Sequence, residues 1–460
     1  MKLFHLIGFL GCILLTGCAT WYQRTAAFQE AVNQGNFEQA EKLLQKDKKQ
    51  ARNKNKILYY LNQGYVEFML GHYEKSNQAF ETAEQLTEDQ HRNALTEAAV
   101  LVTNPEIRPY KPEDFEVIMI NFYKALNYLQ MNNMEDALVE ARKINIRLQQ
   151  LNDKYPDHKN RYQRDAFAQL LMGLIYDAAG DANNAFIAYR NAYDTYQSDY
   201  VKNFGLAAPE QLKQDLLRTA YTCGLTSELQ EYEKLFDTRY TLSPTSPDGQ
   251  LVFFWLNGFG PVKSEWGITF TKIQRNDGAI VFHNEELGLT FPFFWGNGYN
   301  ENDRNSLADV NVVRAVFPKY IERPPAFTQG LLTYDNKSYA LQEAEDINQI
   351  AFKTLHDRMV RELSNSLLRV AVKQGLRYTA SKQNEWLGFA VGLASAFTEK
   401  ADTRNWQTLP YSISYARIPL NASENKIELK FTGPKISPDN QSLEIPSNNK
   451  RTRFFVYTTL

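Results

Sequence analysis

The sequence has little cysteine, little histidine and no excess of charge of either sign. Its 460 residues hold three cysteines, Cys12, Cys18 and Cys223, and six histidines with no His-x-x-x-His or Cys-x-x-Cys spacing. A sequence-evident zinc site is therefore excluded. Cys12 lies inside an apolar leader and Cys18 at its end, so a mature chain keeps one free thiol, Cys223, and has no intramolecular disulfide. The 51 Lys and Arg against 53 Asp and Glu give a net charge of −2, without the basic excess that nucleic-acid binding needs. No metal, cofactor or nucleic acid is expected. After residue 18 no apolar run approaches the roughly 20 residues of a membrane-spanning helix. What remains is a chain rich in aromatics, with 28 Phe and 26 Tyr, and long enough for two or three domains at roughly 150 residues each.

The first residues set an address. Met1-Lys2 precedes an apolar run from Leu3 to Leu15, then Thr16-Gly17-Cys18-Ala19. A positive start, a short apolar core and small residues before the cut make residues 1–17 a secretory signal peptide. Leu15-Thr16-Gly17-Cys18 matches the lipobox of bacterial lipoproteins, in which Cys18 becomes the lipidated N-terminus. Several acyl chains, each buried CH₂ worth about 0.8 kcal/mol, hold such a protein at a membrane. Ala19 stands where retention in the inner membrane typically uses Asp, which points to the outer membrane and its periplasmic side.

From 18 to 240 apolar residues recur at three and four with few Gly or Pro interruptions, predicting an all-α domain. Gly64, Gly71, Tyr73, Phe80 and Ala83 follow the tetratricopeptide pattern, and Gly173, Tyr176, Gly180, Ala185 and Tyr189 follow it again. Weaker copies run from Ala27 to Leu44 and from Ala125 to Ala141, with Asn132 replacing the turn glycine. In this pattern small residues let paired helices approach and aromatics fill the gap between pairs. The turn positions Gly35, Gly71, Asn132 and Gly180 are unevenly spaced, so the array is irregular. Such an array commonly offers a concave face to a partner protein; alternatively, the helices only hold the second half away from the membrane.

Residues 241–250 form a Ser- and Pro-rich linker, and 251–460 read as an α+β domain with a sheet packed on helices. Strands are predicted over Leu251–Leu256, Gly267–Ile273, Ala279–Phe282, Val310–Val316, Gly330–Tyr334, Ser412–Ile418, Lys426–Phe431 and Arg453–Thr458. Ala340–Lys373 has helical periodicity without Gly or Pro and reads as one long or bent helix. Trp386–Phe397 is a short apolar helix with Gly388, Gly392 and Ala396 at four-residue spacing.

Three local motifs carry a family resemblance. They are Phe115-Glu116 with Asn121-x-Tyr123-Lys-Ala-Leu-Asn-Tyr-Leu129, Gly258-x-Gly260-Pro261-x-Lys263, and Glu399-x-x-Asp402-Thr-Arg404-x-Trp406-x-x-Leu409-Pro410. With the lipobox and the helical repeats, the chain resembles a family of Gram-negative tetratricopeptide-repeat outer-membrane lipoproteins, some encoded near lipoprotein activators of penicillin-binding proteins. The resemblance brings no established reaction.

The residues supply none either. There is no Gly-x-Ser-x-Gly and no phosphate-binding Gly-x-x-x-x-Gly-Lys, so no enzyme is expected. Glu399, Asp402, Arg404 and Trp406 form the densest charged and aromatic cluster. They grip a polar ligand or partner, or else Asp402 turns the chain, Arg404 pairs with a carboxylate and Trp406 caps the core. Trp295 and Tyr299, in an aromatic loop from Phe291, would form a stacking platform if exposed. The function expected is a lipid-anchored scaffold or adaptor that binds a protein partner in cell-envelope assembly or regulation. The alternative is a glycan- or peptidoglycan-binding or processing protein acting through the C-terminal domain.

Overall fold

The computed structural model describes residues 21–92, 108–154, 162–241, 249–276, 279–285, 289–294, 312–359, 401–421, 425–435, 441–446 and 451–460. Helices fill the N-terminal half and sheets the C-terminal half. The leader with Cys18, the loop residues Trp295 and Tyr299, Glu399 and the segment Trp386–Phe397 lie outside the described residues.

The helices run as antiparallel pairs: α1 (Trp21–Asn33) with α2 (Phe37–Lys46), α3 (Lys56–Met69) with α4 (Tyr73–Arg92), α5 (Asp114–Gln130) with α6 (Met134–Lys154), and α7 (Ala166–Ala178) with α8 (Ala182–Thr195). A short α9 (Val201–Phe204) leads to α10 (Glu210–Thr222) and α11 (Thr226–Leu235). Caps define the starts: Asn36, Asp165 and Asp181 each accept a hydrogen bond from a first-turn backbone N–H. The pairs turn at Gly35, Gly71, Asn132 and Gly180, whose φ values of 70°, 76°, 58° and 82° are left-handed. Close approach explains the helical glycines. A Cβ on Gly64 would lie 2.6 Å from the Phe80 ring, and one on Gly173 would lie 2.4 Å from Tyr189.

Among the described residues, twelve strands form three four-stranded sheets. The first has the order β12 (Thr452–Thr459), β1 (Gly249–Asn257), β9 (Ser412–Leu420), β8 (Gln342–Asp346), with β12 parallel to β1 and the other pairs antiparallel. The second has the order β11 (Gln441–Ile445), β10 (Asn425–Thr432), β6 (Gln329–Tyr334), β7 (Lys337–Ala340). The third has the order β4 (Leu289–Phe294), β3 (Ala279–Asn284), β2 (Val262–Asn276), β5 (Val312–Ile321).

Strand β1 decides how these layers stack. Side chains alternate across a strand, so its apolar run from Leu251 to Leu256 must bury both faces. Val252, Phe254 and Leu256 join the core of the helical half. Leu251, Phe253 and Trp255 join a separate core with Leu332, Ile427 and Phe431 of the second sheet. The result is helices, first sheet, second sheet, in that order. The secondary structure changes type near residue 249, but the hydrophobic core continues across that boundary.

The long helix expected over Ala340–Lys373 is corrected: Gln342–Asp346 is strand β8, and a helix is described only over 347–359. Gln-Glu-Ala-Glu-Asp has good helix formers, yet pairing with β9 and burial of Ala344 and Glu345 override that propensity. The aromatic loop expected from Phe291 begins instead as strand, since β4 runs to Phe294 in register with β3. Short β7 and β11 carry too few apolar residues to be read from the sequence.

The glycine contacts make a prediction. Gly173→Ala gains about 1 kcal/mol in helix propensity but drives a methyl into the fully buried Tyr189 ring, and overpacking of this kind costs about 1–3 kcal/mol. Urea unfolding should show a less stable variant; a more stable one would contradict the packing described.

Candidate functional site

The three motifs that carry the family resemblance lie far apart in the chain and meet at one place. Glu113 and Glu116 stand at the start of α5, Lys263 at the start of β2, and residues 401–411 cross between them on the way to β9. The Trp406 backbone N–H donates to Glu116 Oε1 at 2.6 Å, while the Glu113 N–H, at 2.8 Å, and the Tyr110 hydroxyl donate to Oε2. Asn405 locks the β1–β2 turn, donating to Pro261 O at 2.9 Å and accepting from Lys263 N at 3.2 Å. Lys263 Nζ also pairs with Glu113, and the Arg358 guanidinium reaches the other Glu113 oxygen at 2.6 Å.

Arg404 and Trp406 are buried at 2% and 1% exposure. Arg404 grips both Asp402 oxygens, at 2.8 and 2.6 Å, donates to Asn55 Oδ1 at 2.8 Å and stacks over the Tyr110 ring. The Trp406 ring packs on Phe80 and Tyr123, and its indole N–H donates to Thr408 Oγ1 at 2.7 Å. Of the two roles open for this cluster, the geometry is that of pairing and core filling. Gly64, Phe80, Ala83, Gly173, Ala185 and Tyr189 are interior helix-pair contacts, and Tyr73 and Tyr176 pack partly buried against the same core.

Burial sets the electrostatics. Burial drives the Glu116 carboxyl up to about 7, the Glu113 charge adding to it against the pull of Lys263. For Glu113 burial acts the same way, but Arg358 and Lys263 overcome it and hold the carboxyl at about 2. One carboxylate of the pair therefore carries the charge that two cations need, and the other serves as a hydrogen-bond hub.

Two further seams join the halves, and no motif announced them. Arg417 of β9 donates to Asp215 at 2.6 Å and to Asp177, which Arg218 also engages. Its one sequence signal is a lone charged residue inside the strand Ser412–Leu420. At the second seam a π-helical turn, Tyr196–Tyr200, aims two phenols at β8. Tyr196 donates to Ala344 O at 2.6 Å, and Tyr200 lies 3.3 and 3.2 Å from the two Glu345 oxygens. Burial and the Asp165 charge push Glu345 well up, and burial raises Asp165 also.

Chemically, these sites hold structure together; the described residues contain no group of His, Cys, Asp and Glu able to hold a metal ion.

No protein-family profile matches the chain, and no curated protein matches it. Solved structures do. It is similar to a crystal structure of MamA, at 15% identity over 45% of this chain and 90% of that one, with a TM-score of 0.28. A further crystal structure of MamA protein matches at 15% identity over 48% and 96%, with a TM-score of 0.29. BtubC from P. vanneervenii matches at 14% identity over 49% and 84%, with a TM-score of 0.32. Scores this low assign neither fold nor function.

The raised carboxyls give a pH prediction. Glu116, Glu345 and Asp165 keep protons in the folded state that the unfolded chain releases near pH 4, so stability is lost as pH rises above that point. One pKa unit is worth about 1.36 kcal/mol, so unfolding free energy should fall by at least about 1 kcal/mol between pH 5 and pH 8. Glu345→Gln should flatten that fall in urea titrations at the two pH values. Stability that rises over this interval, or an unchanged slope in the variant, would contradict it.

Proposed function

We propose that this chain is a non-enzymatic scaffold or adaptor, anchored by lipid on Cys18 to the periplasmic side of the outer membrane, that binds a protein partner in cell-envelope assembly or regulation. The observation that carries the reading is the stack of helix pairs closed by Gly64 on Phe80 and Gly173 on Tyr189. That is the packing rule of tetratricopeptide arrays, whose use is partner binding. The lipobox Leu15-Thr16-Gly17-Cys18 and the following Ala19 support the address.

The fold bears on where a partner binds. Asn55, Glu116 and Phe167, at or on the first helices of three pairs, contact Arg404, Trp406 and Phe254 of the C-terminal half. This chain's own sheet and the 401–411 segment thus occupy the inner side of the helical array. The surfaces left for a partner are the outer helices, where Val139, Ile146 and Ile187 are 47%, 54% and 38% exposed, and the sheet edges. Trp255 and Trp406 are buried, so neither offers a ring for glycan stacking.

Removing residues 22–240 would strip the cover from β1, so point changes make the better test. Cys18→Ser should abolish palmitate labelling and outer-membrane fractionation. A photo-crosslinking residue at Ile146, Ile187 or Glu444 should give a discrete protein adduct in cells from at least one position. Outer-membrane retention without lipid would contradict the anchoring, and the absence of adducts at all three positions would contradict the scaffold.

A further inference from the structure

One groove at the sheet edges has the chemistry of a peptide site. It has a volume of about 430 Å³ and lies between β11, the first half of β12 and the α5–α6 turn. β11 and β12 are edge strands of their sheets.

The backbone of β12 explains what the groove offers. Gln250 N–H donates to Arg451 O and Gly258 N–H to Thr459 O, so the odd-numbered residues of this parallel pair face β1. Thr452, Phe454, Val456 and Thr458 then direct their N–H and C=O groups away from the sheet. Along the later part of the strand this edge lies beside helix ends: Thr458 is near Met69, and Leu460 near Gly35. At the start of the strand, the Phe454 carbonyl meets only the Gln130 amide at a long 3.4 Å, and no partner is seen for the Thr452 and Phe454 N–H groups among the described residues. Unsatisfied edge groups beside a cavity are a template for another strand.

The walls specify the incoming side chains. On one side Leu129 and Met134 of the α5–α6 turn are apolar. On the other, Arg453 of β12 and Arg451 just before it stand against the single Glu444 of β11. Arg453 has no ion-pair partner among the described residues. Side chains of an added strand alternate between these two walls.

We propose that the groove accepts a short extended segment of a partner protein by strand addition to β12, with acidic and apolar residues in alternation. The acidic side chains meet Arg453 and Arg451, the apolar ones rest on Leu129 and Met134, and the peptide backbone pairs with Thr452 and Phe454. This deepens the scaffold reading and rests on it.

The test is selection of peptides on the full mature chain from a pooled heptapeptide library, with Asp or Glu fixed at alternate positions in one set and Lys in the other. The acidic set should be enriched, enrichment should drop at least tenfold on Arg453→Glu, and a selected peptide should slow hydrogen exchange at the Thr452 and Phe454 amides. Thr452→Pro, which removes an outward donor and leaves the β1 ladder intact, should weaken binding with an unchanged near-UV spectrum. No enrichment, enrichment indifferent to Arg453→Glu, or unaltered exchange at those amides would overturn the proposal. A cellular crosslinked partner that persists in Arg453→Glu would likewise remove this site while leaving the scaffold standing.

Discussion

Strand β1 has no face left for water, and the rest of the structure is arranged around that constraint. Its even-numbered residues need the helices and its odd-numbered residues need the second sheet. Full burial of a large apolar side chain is worth about 1.5–3 kcal/mol, so Val252, Phe254 and Leu256 together contribute about 5–9 kcal/mol. The net stability of a folded domain is about 5–15 kcal/mol. Exposing that one face would therefore consume most of what holds the C-terminal half folded, which makes the helical half part of its core and not a detachable arm.

Apolar contact is non-directional and cannot by itself set the angle at which the helices meet the sheet. Three polar seams do this. Glu113 and Glu116 clamp Lys263 and the 401–411 segment, Arg417 ties β9 to Asp177 and Asp215, and the π-helical turn ties Tyr196 and Tyr200 to β8. Buried ion pairs are weak sources of net stability, but a pair with one member removed is costly, so they penalise wrong arrangements. A helical array filled on its inner side by its own chain is left with helix backs and sheet edges as its outer surface.

How much of this could be read beforehand depended on range. The helix pairs were legible because periodicity and turn glycines are local signals, and Asn132 could be placed at a left-handed turn for the same reason. The run from Leu251 to Leu256 was legible as a strand; its double burial was implicit in the lack of alternation. Strand β8 was misread because five residues of good helix propensity precede a true helix, and only β9, some seventy residues later, makes them a strand. The cluster around Arg404 was legible as a site of consequence but open in kind, since ligand grip and core pairing use the same residues. Burial decides that, and its partners Asn55 and Glu116 lie hundreds of residues away in sequence. Glu345 and Asp165 carried no local signal at all.

The central claim is that the two halves form one cooperative unit. Native-state hydrogen exchange of the mature chain under increasing urea tests it most directly, comparing the amides of Leu171 in α7 and Leu429 in β10. Both should exchange through the same global opening, with the same free energy and the same urea dependence, and Arg404→Ala should lower both equally. If Leu429 keeps its protection while Leu171 opens, or if Arg404→Ala weakens one half alone, the halves fold independently and the shared core does not govern the molecule.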